Sequence, residues 1–255
     1  MINREYIKQQ FKLYTDKYDS NDSKIALKIS HTYRVADLCE TIAKSLNLSG
    51  EDVDICWMAG MLHDIGRFEQ IKRYGTFIDG QSVDHAAFGA DLLFNEGLYE
   101  TVTGLTCEYR ELTEKVIRAH NMFRLPSDLN EREAMLANIL RDADKIDILK
   151  VNCETKREEI YNVSTAVLKN ASVSDDVKDA FDKKSCAIRR NDNTAIDHLV
   201  GHICFIFELV YPKSISLMLE QGYIYELLKF ESDNPDTIEW FKHMNEAISE
   251  YACLS

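Results

Sequence analysis

Six side chains of imidazole and carboxylate type recur through the first 150 residues at or near the faces that their elements would bury: His31, the adjacent pair His63-Asp64, His85, His120 and Asp144. Imidazole nitrogen combined with carboxylate oxygen suits Zn, Fe, Mn, Co or Ni, whereas a calcium site is built of oxygens alone and a structural zinc site usually draws on cysteine. The seven cysteines form no Cys-x-x-Cys pair and sit in apolar or helical contexts such as Ile55-Cys56-Trp57 and Ile203-Cys204-Phe205, which reads as reduced core thiols. A single buried histidine is most often a hydrogen-bonded core residue. Four histidines on four separate helices are a different matter, because packing those helices as a bundle can converge them. In the His63-Asp64 doublet, the carboxylate can bind one metal or bridge two while the neighbouring imidazole fixes it.

Four cations lie near these positions: Arg34 one helical turn after His31, Arg67 three residues past Asp64, Arg118 two before His120, and Lys145 beside Asp144. Phosphoryl transfer needs positive charge around the equatorial oxygens and an activated nucleophile, and such a set can supply the charge.

The elements that must position these groups follow from apolar spacing. Ile29, Val35, Leu38, Ile42 and Leu46 form a helical stripe within residues 23–48, with His31 inside it. A second helix is expected over 51–68, closed by Gly66, and then a loop over 72–81 containing Gly75 and Gly80. Ser82-Val83-Asp84-His85 reads as the first turn of a helix running towards Gly97. A helix over 109–122, with Leu112, Val116 and Ala119 on one side, is stopped by Leu125-Pro126-Ser127-Asp128. Asn130, followed three residues later by Glu133, opens a long helix through Leu149 with Asp144 in its middle. Beyond 154, polar segments around 172–176 and 191–194 separate helical patterns over 176–185, 195–210, 214–228 and 236–251. No repeat, low-complexity tract or linker interrupts the chain. The expected organisation is therefore one domain, with residues 1–150 as a metal-binding core and 151–255 as C-terminal helices packing on it.

The order H…HD…H…H…D, with its flanks, resembles the HD-domain superfamily of metal-dependent phosphohydrolases. The motifs are His31-Thr32-Tyr33-Arg34-Val35-Ala36, Met61-Leu62-His63-Asp64-Ile65-Gly66-Arg67, Asp84-His85-Ala86-Ala87-Phe88-Gly89, Ile117-Arg118-Ala119-His120-Asn121 and Arg141-Asp142-Ala143-Asp144-Lys145-Ile146-Asp147. The resemblance implies an all-α HD-domain bundle with additional C-terminal helices. It also implies a primary site of His31, His63, Asp64 and Asp144, and a second site completed by His85 and His120 with Asp64 bridging. Asp142 competes with Asp144, but at about 100° per residue the two point to different faces. Asp144 shares a column with Leu136, Leu140 and Ile148 and holds the family position. Arg67 and Lys145 stand where several HD phosphohydrolases contact substrate. Members acting on deoxynucleoside monophosphates can carry Glu three residues after the doublet; here that position is Arg67 and the nearest acid is Glu69, so no general acid is assigned.

Composition narrows the remaining choices. Ten glycines and three prolines in 255 residues favour long helices over a many-stranded architecture. A net charge of −13 gives no engine for polynucleotide binding. No run of about 18 apolar residues and no apolar N-terminal stretch points to a membrane or to secretion, so a cytoplasmic protein is expected. The expected function is a metal-dependent phosphohydrolase in which Asp64, Arg67 and Lys145 are catalytic and Arg34, Arg67, Arg118 and Lys145 bind a small phosphorylated substrate, nucleotides among the candidates. One or two divalent ions, Fe, Mn, Co, Ni or Zn, are the cofactors. Further copies of the chain, in a homo-oligomer, are the one macromolecular partner allowed for. Two rivals use the same pattern: a di-iron HD oxygenase consuming O₂, and a non-catalytic signalling module, which would have no reason to retain all six ligands.

Overall fold

Several helix starts in this chain are set by side-chain caps. Asn3, Asp22, Ser49 and Asp84 each accept a backbone N–H from the first turn that follows, at 2.8–3.1 Å, and each satisfies a donor that the helix itself leaves orphaned. Asn130 and Glu133 cap one another reciprocally, the Glu133 N–H donating to Asn130 at 3.0 Å and the Asn130 N–H to Glu133 at 2.9 Å, as their spacing predicts. In the computed structural model, which describes residues 1–19, 21–188, 190 and 192–254, every helix is joined by turns and no strand occurs among the described residues. The all-α expectation holds. Residue 191, at the start of the expected polar segment 191–194, lies outside the described residues.

The chain forms two compact units, Met1–Ala143 and Asp144–Ser255. The first contains α1 (Arg4–Thr15), α2 (Ser23–Ser45), α3 (Gly50–Leu62), α4 (Ile65–Tyr74), α5 (His85–Ala90), α6 (Leu98–Thr103), α7 (Arg110–Ala119) and the first part of α8 (Glu131–Glu154). Its centre is the α2–α3 pair, which buries Val35, Ala36, Cys39 and Ile42 against Ile55, Met58, Ala59 and Leu62. The two backbones approach so closely that a Cβ on Gly60 would lie 2.6 Å from the Ala36 Cα. Helix α1, which the apolar spacing does not announce, packs Phe11 edge-on against Tyr33 and Phe68, with centroids 5.6 and 5.9 Å apart. Arg4 ties it to Glu40 and Asp54 at 2.8 Å each.

The expected helix over 51–68 is two helices. The chain breaks at the His63-Asp64 doublet, where Asp64 leaves helical geometry (φ −102°, ψ 15°), and α4 runs on to Tyr74 with Gly75 (φ 70°) at its C-terminus. Gly66 therefore ends no helix. It sits in the first turn of α4 against α5, where an added Cβ would meet Gly89 N at 2.7 Å and the His85 carbonyl at 2.8 Å. Helix α5 continues into a π-helical turn, Asp91–Asn95.

The second unit contains α9 (Arg157–Tyr161), α10 (Thr165–Asn170), α11 (Asp175–Asp182), α12 (Ala195–Ile203), α13 (Pro212–Gln221), α14 (Tyr223–Leu228) and α15 (Pro235–Leu254). The pattern over 214–228 is split by Gly222 (φ 75°). Asp197 completes a capping box with Thr194 and also accepts the Ser174 N–H and hydroxyl at 2.8 and 2.7 Å. Of the cysteines, Cys39, Cys56 and Cys204 are buried and all seven are free thiols; Cys107 and Cys253 are exposed, because they lie in a turn and in the last turn of α15 rather than on apolar faces. No helix among the described residues is long and apolar enough to cross a membrane.

Gly66→Ala forces a methyl group into backbone atoms that cannot rotate aside, and is expected to cost about 1–3 kcal/mol. Gly201→Ala, mid-helix with nothing within 4 Å, is expected to gain about 0.5–1 kcal/mol. Urea denaturation of the two variants beside the parent protein checks both.

Candidate metal centre

Each of the five N-terminal donors is delivered by a different local device. His31 comes from the middle of α2. His63 and Asp64 occupy the junction between α3 and α4, where Asp64 takes the N-cap position yet makes no capping hydrogen bond, its carboxylate being turned to cations instead. His85 is the first residue of α5, behind its cap Asp84. His120 ends α7, and Arg141 of α8 holds the turn beyond it by donating to the carbonyls of Ala119 at 3.2 Å, Phe123 at 3.3 Å and Met122. None of the five donors is more than 7% exposed.

They converge on Asp64. The His31 and His63 Nε2 atoms each lie 3.5 Å from Asp64 Oδ2, and His85 Nε2 lies 3.6 Å from Oδ1. His85 and His120 meet through their Nε2 atoms at 3.0 Å. His31, His63 and Asp64 offer ligand atoms all within 4.8 Å of one another, and so do Asp64, His85 and His120, with Asp64 common to both sets.

The outer partners of the imidazoles decide which nitrogen carries the proton. His63 Nδ1 lies 2.8 Å from the Gly60 carbonyl and His120 Nδ1 lies 2.7 Å from the Ile117 carbonyl. A carbonyl only accepts, so each Nδ1 donates and each Nε2 presents a lone pair inward. His85 Nδ1 is 2.6 Å from Asp79 Oδ2, and an ionised carboxylate imposes the same tautomer. Burial, and then the Arg67 charge, push the His85 imidazole down to about 4, so it is neutral at pH 7. With both rings neutral, their Nε2 lone pairs would face each other 3.0 Å apart beside a carboxylate, an arrangement that a proton or a metal cation between them relieves. The donor set fits a divalent metal of the N/O-preferring class.

Asp64 is ionised. Burial alone would raise its carboxyl, but the charges of Lys28, the largest, and Arg67 hold it well below the usual carboxylate range. Lys28 is the nearest of these, its Nζ donating to Oδ2 at 2.6 Å; Arg67 Nε stands 3.6 Å from Oδ1. The Arg67 guanidinium donates from NH1 to Asp79 at 2.8 Å, Gln70 at 2.8 Å and the Phe77 carbonyl at 2.7 Å. Gln70 in turn donates to Asp79, Ser82 and the Val83 carbonyl. Asp79 is thus the hub that joins the 76–84 segment to α4 and to His85, and burial notwithstanding, the His85 and Arg67 contacts hold its carboxyl well below the ordinary 3.8.

The other expected residues are placed as follows. Arg118 is held by Asp91 at 2.8 Å and Glu114 at 2.9 Å. Arg34 is half-buried on α2. Asp142 is fully buried on α8; Asp144, half-buried, is the first residue of the second unit, and Lys145 follows it. Away from this centre, His202 Nδ1 lies 3.0 Å from the buried Asn152 Oδ1, which also accepts the Tyr161 hydroxyl at 2.6 Å. Lys28, Asp79, Gln70 and Arg141 were not singled out by sequence reasoning. Lys28 alone had a usable signal: it lies one turn before His31 on the same helix.

The family model of the HD domain matches residues 29–150, and over that segment the chain is similar to the HD-domain superfamily. A similar solved structure is the crystal structure of a predicted HD superfamily hydrolase from an uncultured Thermotogales bacterium, 28% identical, with the match covering 56% of this chain and 68% of that one at a TM-score of 0.40. No curated protein matches the sequence.

Asp79→Ala removes the acceptor that fixes the His85 ring, and is expected to weaken metal binding by about 10–100-fold in calorimetric titration. Because the Asp79 carboxyl sits below its ordinary value when folded, its contribution to stability is present above about pH 4 and fades as pH falls further. The gap in melting temperature between parent and variant is therefore expected to be widest near neutrality and to narrow below pH 4.

Proposed function

We propose that the protein is a metal-dependent phosphohydrolase that cleaves a small phosphoester, nucleotides among the candidates, at a centre holding one or two divalent ions. The observation that carries this reading is a single ionised, buried carboxylate, Asp64, approached by three imidazole Nε2 atoms and shared between two sets of ligand atoms. In this reading His31, His63 and Asp64, with Asp144, hold the primary ion, and His85 and His120, with Asp64, hold a second. Asp144 enters on the motif order and on its place in α8, which runs without interruption from Glu131 to Glu154.

A divalent cation held there supplies Lewis acidity and lowers the pKa of a water towards neutrality. The chain's own residues do the rest. Asp64, kept ionised by the cations around it, remains available as an acceptor at any physiological pH. The outer carbonyls and Asp79 keep three imidazoles in the tautomer that offers Nε2. Arg67, fixed by Asp79, Gln70 and the Phe77 carbonyl, contributes preorganised positive charge beside Asp64, which favours a site where phosphoryl charge develops. Lys145 and Arg34 are the further cations assigned to the substrate. Arg118 carries less weight, since two carboxylates already hold it.

The test is turnover across a broad panel of phosphomonoesters, phosphodiesters and nucleotides by metal-loaded protein, with metal content measured by elemental mass spectrometry. His63→Ala is expected to lose bound metal and to reduce turnover at least about a thousandfold, the scale of several kcal/mol of charge stabilisation. Full metal loading without turnover on any member of the panel would overturn the hydrolase reading. Near two irons per chain with O₂ consumption would establish the oxygenase in its place.

A further inference from the structure

Of the charges around Asp64, one stands apart. Lys28 belongs to none of the motifs of the centre, yet it makes the shortest polar contact to its shared carboxylate. Its Nζ lies 2.6 Å from Asp64 Oδ2, the same oxygen that His31 and His63 Nε2 approach at 3.5 Å. Three residues before His31 on α2, it projects from the same helix face. Its side chain is only 16% exposed and that of Asp64 3%, so the pair interacts through a medium poorer in water than the surface, where charge–charge energies are large.

We propose that Lys28 is an internal counter-cation of Asp64 that competes with the divalent ion for this carboxylate, so that metal binding at the centre is an exchange of one positive charge for another. Three observations support this. A buried carboxylate is costly without a paired cation, and Lys28 supplies that pairing at the closest range. A divalent ion drawn to Oδ2 by the two facing imidazoles would stand within a few ångströms of Nζ, and like charges at that range repel strongly in a partly dry site. Lysine can yield where arginine would not: its ammonium is a point charge on a flexible four-carbon stem, only partly enclosed by the Phe77 ring that it shares with Arg67 at 5.6 Å each. By contrast, Arg67, tied by three hydrogen bonds, cannot move without dismantling the 76–84 segment. Lys28 therefore lowers the affinity of the centre for metal while protecting the carboxylate, a role opposite in sign to that of an ordinary structural ion pair.

The inference rests on the reading of Asp64 as a metal ligand, and the experiment separates the two. Mn²⁺ binding is titrated by the electron paramagnetic resonance signal of free Mn²⁺ in the full chain, in Lys28→Met, Lys28→Arg and Asp64→Asn, and melting temperature is recorded with and without Mn²⁺. Lys28→Met keeps the stem and removes the charge. It is expected to bind Mn²⁺ at least about tenfold more tightly than the parent, to melt lower without the ion, and to gain more in melting temperature when the ion is added. Lys28→Arg, which keeps the charge, is expected to stay at or below the parent affinity, and Asp64→Asn to lose binding. A parent that binds no Mn²⁺ beside a Lys28→Met that does would support the proposal most directly. Unchanged or weaker binding by Lys28→Met, in a parent that binds, would overturn the counter-cation role and leave the metal centre standing. Absence of binding in both would overturn the metal reading and this inference with it. If Lys28→Met does not fold, Lys28→Gln, which can donate to Oδ2 without charge, makes the same comparison.

Discussion

A carboxylate that is ionised and almost wholly removed from water has to be surrounded by positive charge or by donors, and in this protein that requirement organises the first unit. Asp64 is the group in question. Helix α2 brings Lys28 to it and α4 brings Arg67, while α2, the α3–α4 junction and α5 set the Nε2 atoms of His31, His63 and His85 within 3.6 Å of it, where a bound cation would join them to the carboxylate. The interruption of the helix at the doublet follows from the same need. An Asp held in continuous helix would point along the surface of that helix, whereas a residue with φ near −102° can turn its side chain into the bundle, giving up its capping role to do so. The fold around the centre is thus a set of helices placed so that their inward ends share one negative charge.

The histidines are governed by a second constraint, orientation. Imidazole has two nitrogens, and only a partner on the outer one makes the inner one reliable. Two of the partners are carbonyls three residues earlier in the chain, Gly60 for His63 and Ile117 for His120, so each of these rings is fixed by the turn on which it rides. His85 stands at the very start of its helix and has no such preceding turn. Its ring is fixed instead by Asp79, six residues upstream, which is why the segment between α4 and α5, with a single 3-10 turn at Asp79–Gln81, matters to the orientation of this donor. That segment is held in place by Arg67 and Gln70, so α4 determines the His85 ring at one remove.

Much of this was legible in the sequence, for physical reasons that differ from residue to residue. His31, His63, Asp64, His85 and His120 were found because polar residues on apolar stripes are conspicuous. Asp84 and the Asn130–Glu133 pair were found because capping has a fixed spacing. The break at residue 64 was invisible, since Val53 to Phe68 keeps helical periodicity through it and the cause lies in the tertiary field around one carboxylate. Gly66 was read as a helix end because a glycine near a loop usually is one; its actual role, contact with the α5 backbone, is set by a residue 23 positions away in sequence. Lys28, Asp79 and Arg141 were overlooked because a single charge on a helix or in a loop looks like solvated surface until its partner is known.

The backbone contact between Gly66 and Gly89 has one more consequence. Asp64 and His85 lie close in sequence to the two ends of that contact, so the separation between the shared carboxylate and the second pair of imidazoles is gauged by main chain against main chain, with no side chain in between. A gauge of this kind is indifferent to what the surrounding side chains are. The side chains packed around the donors could be exchanged residue by residue while the ruler between donors kept its length. The spacing of the donors therefore survives substitution of the side chains around them, provided the two glycines are kept.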